Sequence, residues 1–510
     1  MITTLQKDTI GSILRSLDSN LASKKRLRYL GLVSSVLIVV GSLSPSVPFT
    51  SKAVGAWFIG VPGSLFTLWF IPDVISQILY YVGFILGIVV WVAVVRQVIE
   101  KQYTTKELLL LASVWFVPLL LAGPLYSKDI YSYAAIGEMV SRHISPYLYG
   151  PNILGATPYL NTVDPFWGNA PAPYGPAFLW FAGTMAVLSQ HNPVFTMVLL
   201  RVSAIIAVVV ITVCAMWLAN ASGRDKNLTL VLVGLNPLVV FHLASSGHND
   251  AYMLAFLALG LIALRKNYRI LSVVLISVGA SVKIPVILGV AFVAWTSNPD
   301  SAIRAKIKPM FFYGLVSIAT LALISIVTGI GWGWLSNLGT PGIIRSAAVP
   351  TTIFANWSYR ITSLVGFPLQ IGGWLTLFRA LGLLLAGATG LFFVWKCEKY
   401  TIEKSIGYSL LALVLFGPVI QPWYIVWGLV FLAIRPSTRV ITGIVVVSVA
   451  GMLLGLPDGP TLVSWTGYLT LISAGLVLAA NRIGIRVLPG SLHDVFFQKN
   501  HAVSATAQIS

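Results

Sequence analysis

The sequence predicts an all-α, polytopic membrane protein built as a bundle of about fourteen transmembrane helices. Three observations carry that expectation. Of 510 residues, 57% are hydrophobic and only 9% are charged, with a mean hydropathy of +0.86; a soluble domain carries roughly a quarter charged residues. The apolar residues fall in runs long enough to enter a bilayer, without the strand-like alternation of polarity that a barrel needs. Finally, 33 Lys+Arg outnumber 15 Asp+Glu to give +18, and the excess sits in short loops between those runs. A soluble chain with that charge would point to nucleic acid; here it follows the positive-inside rule and suits anionic lipid head groups.

Taken in order, a polar segment 1–28 ends in Lys24-Lys25-Arg26-Leu27-Arg28. The first run follows it without a small-residue cleavage site, and it reads as a retained helix. Helices are expected at about 29–45, 77–97, 107–124, 194–219, 227–243, 250–265, 270–282, 285–297, 309–329, 370–395, 406–420, 423–434, 439–456 and 462–480. Those at 270–282, 285–297 and 423–434 fall short of the roughly 20 residues a crossing needs. They read as half-helices broken at Lys283-Ile284-Pro285 and Gln421-Pro422, because proline removes a backbone donor. The chain thus divides into a cytoplasmic segment 1–28, a membrane domain 29–480 and a polar cytoplasmic tail 481–510.

Charge then sets the topology. Lys24 to Arg28 hold the N-terminus inside, with Arg96, Lys101, Lys106, Arg224, Lys226, Arg265, Lys266 and Arg269 on the same side. That leaves one crossing between Pro176 and Arg224, so 177–190 lies in the outer interface or re-enters. The outer face receives two long segments, 125–176 and 330–369, together with Gly247 to Asp250 and Gln421 to Tyr424. Asp129, His143, Asp164, His248 and Asp250 all fall there, so chemistry is expected at the outer face of the cell membrane.

The segment from Gly123 to Pro176 is the richest of these, crowded with Tyr, Trp, Pro and small residues. Asp129 follows closely on an apolar run. A carboxylate at that boundary is partly desolvated, which raises its pKa toward that of a general base. It equally suits a helix N-cap, with Ser127 or Asp129 satisfying the amides of a helix 130–142; the two roles do not exclude each other. Asp250 opens the next outer-facing helix and reads as a cap or as a ligand for substrate hydroxyls or a cation. His248 suits an anionic phosphate or a hydrogen bond at a helix end. Lys283 is costly inside an apolar stretch, which marks it as functional unless it snorkels. Arg345 and Arg360 lie in an outer segment with Trp332, Trp334, Trp357 and Tyr359. Arginines clamp phosphate, and tryptophans stack on sugars or anchor at the interface. Tyr174-Gly175-Pro176 and Gln421-Pro422-Trp423-Tyr424 form rigid turns that aim aromatics into a cavity. Two cysteines, Cys214 and Cys397, provide neither a disulfide framework nor a zinc spacing. No nucleotide-binding loop or metalloprotease motif is present.

Ser127-Lys128-Asp129-Ile130-Tyr131-Ser132-Tyr133, with Ser145-Pro146-Tyr147 and Ala172-Pro173-Tyr174-Gly175-Pro176, resembles the polyprenol-phosphomannose-dependent α-(1→6) mannopyranosyltransferases of mycolic-acid bacteria. The likeness is to the B-type member and extends over about 27–480; His248-Asn249-Asp250 and Pro422-Trp423-Tyr424 support it more loosely. The resemblance implies a GT-C membrane glycosyltransferase fold with outer-face loops and juxtamembrane helices. It implies Asp129 as the catalytic acid residue of the first large outer loop, with Lys128 beside it in a place where a basic residue is expected. Tyr131, Tyr174, His248, Asn249, Asp250, Lys283, Arg345, Arg360, Trp423 and Tyr424 complete the expected substrate-binding set. The implied donor is polyprenyl-phosphomannose, the acceptor a lipid-anchored α-(1→6) mannan of lipomannan and lipoarabinomannan, and no metal or other cofactor is expected. Two alternatives remain open at this point, a lipid-linked sugar flippase and a GT-C enzyme for another sugar such as arabinose.

Overall fold

The computed structural model describes residues 23–42, 73–298, 302–344, 349–366 and 369–454. The expected helix 462–480, the terminal segments beyond those bounds and Arg345 lie outside the described residues.

Among the described residues the secondary structure is entirely helical. The first part of the bundle is α1 (Lys24–Ser42), α2 (Asp73–Ile99), α3 (Thr105–Leu119), α4 (Asp129–Ser141), α5 (Pro176–Leu188), α6 (Pro193–Ala221) and α7 (Lys226–Val233). A π-helical turn, Val239–Ser245, leads into α8 (Asp250–Arg265), then α9 (Arg269–Ala280) and α10 (Leu288–Trp295). The second part is α11 (Ile303–Thr328), α12 (Pro350–Leu364), α13 (Ile371–Trp395), the short α14 (Cys397–Tyr400), α15 (Ile402–Phe416), α16 (Pro422–Leu432) and α17 (Thr438–Leu454).

Four of these helices, α2, α6, α11 and α13, are long and apolar enough to cross a membrane singly among the described residues. Among the described residues other expected spans are shorter or broken helices, for a reason visible in the chain. The expected span 227–243 breaks after α7, where Pro237 has no N–H to give and Asn236 Oδ1 accepts from the Leu238 amide at 3.0 Å. The π-helical turn that follows bends by 106° into α8. Gly247 sits at that bend with φ +67°, and a Cβ there would strike Ile130. The break at Lys283 is present as expected: α9 stops, Lys283 is extended (φ −152°, ψ 124°), and a 3₁₀ turn starts at Ile284. Gln421 likewise adopts an extended conformation ahead of α16. The segment 177–190 is the short helix α5, too short to cross alone. The segment 330–369 is less of a loop than expected, since Pro350 at the first turn of α12 starts a helix there.

Both ends of the bundle are tied by polar contacts. At one end Lys24 pairs with Glu107 at 2.7 Å, Thr105 bonds Asn227 at 2.7 Å, and Arg265 donates to the Ala221 carbonyl at 3.0 Å. Helices α3, α6 and α8 run from that basic end to the opposite one, where α4, α5 and the bend at Gly247 meet. There the segments 125–176 and 330–369 touch: Asn337 Nδ2 donates to the carbonyls of Tyr147 at 3.0 Å and Ala172 at 3.4 Å. The far end of α4 is fixed by buried Glu138, which accepts from Arg142 Nε at 2.7 Å and lies 2.8 Å from His191 Nδ1.

Candidate active site

The site forms where the bend between the π-helical turn and α8 meets the first turn of α4. Helix α4 begins at Asp129, but Asp129 does no capping. Its own amide donates to Ser127 Oγ at 3.1 Å, and the cap residue Lys128 makes no side-chain cap. The carboxylate is thus left to face the cluster, 23% exposed, with Oδ2 3.5 Å from His248 Nδ1. Burial pushes its pKa up to about 6; Lys283 pulls it down, while Asp250 pushes it further up.

His248 is fully buried and stacks on Trp423, with ring centroids 4.0 Å apart and 19° between planes. Tyr424 stands edge-on to Trp423 at 5.8 Å. Asp250 occupies the first turn of α8 and is also no cap. It is fully buried, held by Lys283 Nζ at 2.9 and 3.0 Å and by Trp427 Nε1 at 2.6 Å. The Lys283 ammonium also lies 4.4 Å from the centre of the Tyr424 ring and 5.4 Å from that of Trp427. Lys283 is therefore paired inside the protein and does not snorkel.

Tyr174 closes the other side, edge-on to Tyr133 and Phe178 at 5.4 Å from each. Tyr133 Oη donates to Asn249 Oδ1 at 3.4 Å, and Asn249 Nδ2 is buried without a hydrogen bond. The turn that carries Tyr174 is bonded to the strip that carries Lys283: Gly175 N donates to the Val282 carbonyl at 3.2 Å and Ala177 N to that of Ser281 at 3.1 Å. Five separate stretches of chain thus deliver Asp129, His248, Asn249, Asp250, Lys283, Trp423, Tyr424 and Tyr174 to one cluster.

Other expected residues stand elsewhere. Tyr131 is buried in the packing behind α4, within the electrostatic reach of Arg201. Lys128 borders the cluster half-buried. Arg360 is exposed on α12, which packs against α13 and α15, apart from the acids. Sequence reasoning missed Trp427, although its place four residues after Trp423 on α16 puts both rings on one helix face. Among the described residues, no group of three or more His, Cys, Asp or Glu side chains is arranged to hold a metal ion.

Comparison with known proteins places the whole chain rather than the site. A family profile described as alpha-(1->6)-mannopyranosyltransferase, N-terminal domain, matches residues 28–299, and one described as MptB C-terminal domain matches 351–483. A probable alpha-(1->6)-mannopyranosyltransferase of Mycolicibacterium smegmatis is 28% identical, covering 92% of this chain and 90% of its own length. Alpha-(1->6)-mannopyranosyltransferase A of Mycobacterium tuberculosis is 28% identical over 76% of each chain. The B enzyme of Corynebacterium glutamicum is 28% identical over 88% of this chain and 80% of its own. No solved structure matches. The chain belongs to the alpha-(1->6)-mannopyranosyltransferase family and is a membrane-embedded mannosyltransferase.

Proposed function

We propose that this protein moves mannose, with inversion, from polyprenyl-phosphomannose to the 6-hydroxyl of a lipid-anchored α-(1→6) mannan at the outer face of the plasma membrane. Asp129 is the general base. The hydroxyl oxygen attacks C1 of the β-mannosyl phosphate and forms the α bond. The C1–O bond to phosphate breaks, its electron pair leaves with the lipid phosphate, and the hydroxyl proton passes to the Asp129 carboxylate. One base is sufficient, because a phosphate monoester is a good leaving group and inversion needs no covalent intermediate; the stereochemical logic parallels inverting glycoside hydrolysis.

The observation that carries the reading is the Asp129 carboxylate: uncapped, partly exposed, and set beside buried cationic and imidazole groups. Lys283 is the cation whose field reaches it, and with the His248 ring it is suited to the charge that develops on the departing phosphate. Trp423, Tyr424 and Tyr174 supply aromatic faces for sugar rings, and the free Asn249 Nδ2 is a donor for a sugar hydroxyl. Lys283 already neutralises Asp250, which leaves that carboxylate ill-suited to a divalent cation and favours metal-free catalysis. The outer-face assignment is supported by the gathering of basic residues at the opposite ends of α3 and α8.

The test is an assay of membranes with labelled polyprenyl-phosphomannose, comparing wild type with Asp129→Asn. The expected result is α-(1→6)-linked product from wild type and a loss of about 10²-fold or more in the folded variant. Unchanged turnover in Asp129→Asn removes the base, and equal use of polyprenyl-phosphoarabinose removes the mannose assignment.

A further inference from the structure

Arg201 lies in α6, the longest apolar helix among the described residues, and is buried. A guanidinium there is expensive unless its surroundings solvate it. It is solvated by the end of another helix. Nη1 donates to the Ala122 carbonyl at 2.5 Å and Nη2 to that of Leu119 at 3.1 Å, where α3 runs out and its dipole is negative. Nη2 also reaches Ser245 Oγ at 3.5 Å, the last residue of the π-helical turn.

These partners sit just upstream of the two stretches of chain that carry the site. The chain leaving Ala122 reaches Asp129 within seven residues, and the chain leaving Ser245 reaches His248 within three. The two stretches are also joined directly, since Ser246 Oγ donates to the Leu125 carbonyl. At the same junction Gly247 packs against Ile130 and the Arg201 backbone. The rigid fork of an arginine spans two acceptors at a fixed separation, which a lysine's single ammonium does less well.

We propose that Arg201 is a positioning residue for the reaction: its guanidinium locks the segment 119–127 to the π-helical turn and so sets the spacing of Asp129 and His248. It acts through the two stretches of chain that carry these partners. The proposal rests on Asp129 being the base. A displacement of the base by about 1 Å is enough to cost on the order of 10²-fold in rate.

The experiment measures kcat and KM per folded molecule, in membranes, for wild type, Arg201→Met, Arg201→Lys and Asp129→Asn, with folded protein quantified by size-exclusion in detergent. Arg201→Met is expected to lose about 10- to 100-fold in kcat with acceptor KM within about twofold, and Arg201→Lys to recover part of that loss. Arg201→Met at wild-type kcat per folded molecule, or a loss confined to the yield of folded protein, overturns the proposal. An active Asp129→Asn overturns the base instead, and the two failures are read from different variants. If Arg201→Met does not fold, Ser245→Ala and Arg201→Lys decide the matter: both are expected to lower kcat without raising KM, and wild-type values in both overturn the proposal.

Discussion

Lys283 Nζ stands 2.9 and 3.0 Å from the two carboxylate oxygens of Asp250, a pair joined across 33 residues of chain. Asp250 is completely buried and Lys283 nearly so. Neither residue is placed by its own helix pattern: one starts α8, and the other interrupts the path from α9 to α10. The pair neutralises both charges, leaving Asp129 as the acid of the cluster that combines partial exposure with a raised pKa.

Breaking that pair from one side leaves an uncompensated buried charge. Asp250→Asn and Lys283→Met should each destabilise the protein by about 3–5 kcal/mol. The double substitution should recover most of that, as read by thermal unfolding in detergent. Activity should remain low in all three, because the ammonium is gone or unheld. Additive losses in the double variant would mean that the two side chains are not coupled.

The pH profile follows from Asp129. A base must be ionised, so kcat/KM should fall as pH drops through about 6, tenfold per unit below that. The same shift has a stability consequence of opposite appearance. The folded carboxyl holds its proton more tightly than the unfolded one at about 3.9, so between about 4 and 6 the native state binds more protons and gains stability as pH falls. Above pH 6 the ionised, buried carboxylate is a cost. Asp129→Asn should therefore melt higher than wild type at pH 7 while being inactive, and a lower melting temperature would contradict the burial argument.

Gly175 joins two parts of the site. A Cβ at this position would run into the Ser281 carbonyl, two residues before Lys283. Gly175→Ala should cost about 1–3 kcal/mol as an overpacking change and lower turnover by shifting Lys283. Melting temperature and kcat measured together check it; a variant that is destabilised but has normal kcat would show that the contact serves packing alone.

Metal removal is the simplest measurement. With Asp250 already neutralised by an ammonium, mannosyl transfer should persist at its full rate in excess EDTA. Loss of activity that manganese or magnesium restores would give the reaction a cation that this reading omits.

The sequence alone determined that the chain is a helical membrane protein, where its polar and aromatic segments lie, that Asp129, His248, Asn249, Asp250, Trp423 and Tyr424 belong to them, and that Lys283 stands in an apolar stretch. Hydrophobic run length and the cost of unpaired groups in lipid fix those features locally, so they can be read residue by residue. The sequence did not decide whether Asp129 and Asp250 cap their helices, whether Lys283 is paired, or what Trp427 and Arg201 contact. Those answers depend on contacts between stretches tens to hundreds of residues apart, such as Asp250 with Trp427 and Arg201 with Ala122. They depend also on a 106° bend that hydrophobicity does not encode. Composition selects the solvent, but only packing brings distant polar groups within hydrogen-bonding distance.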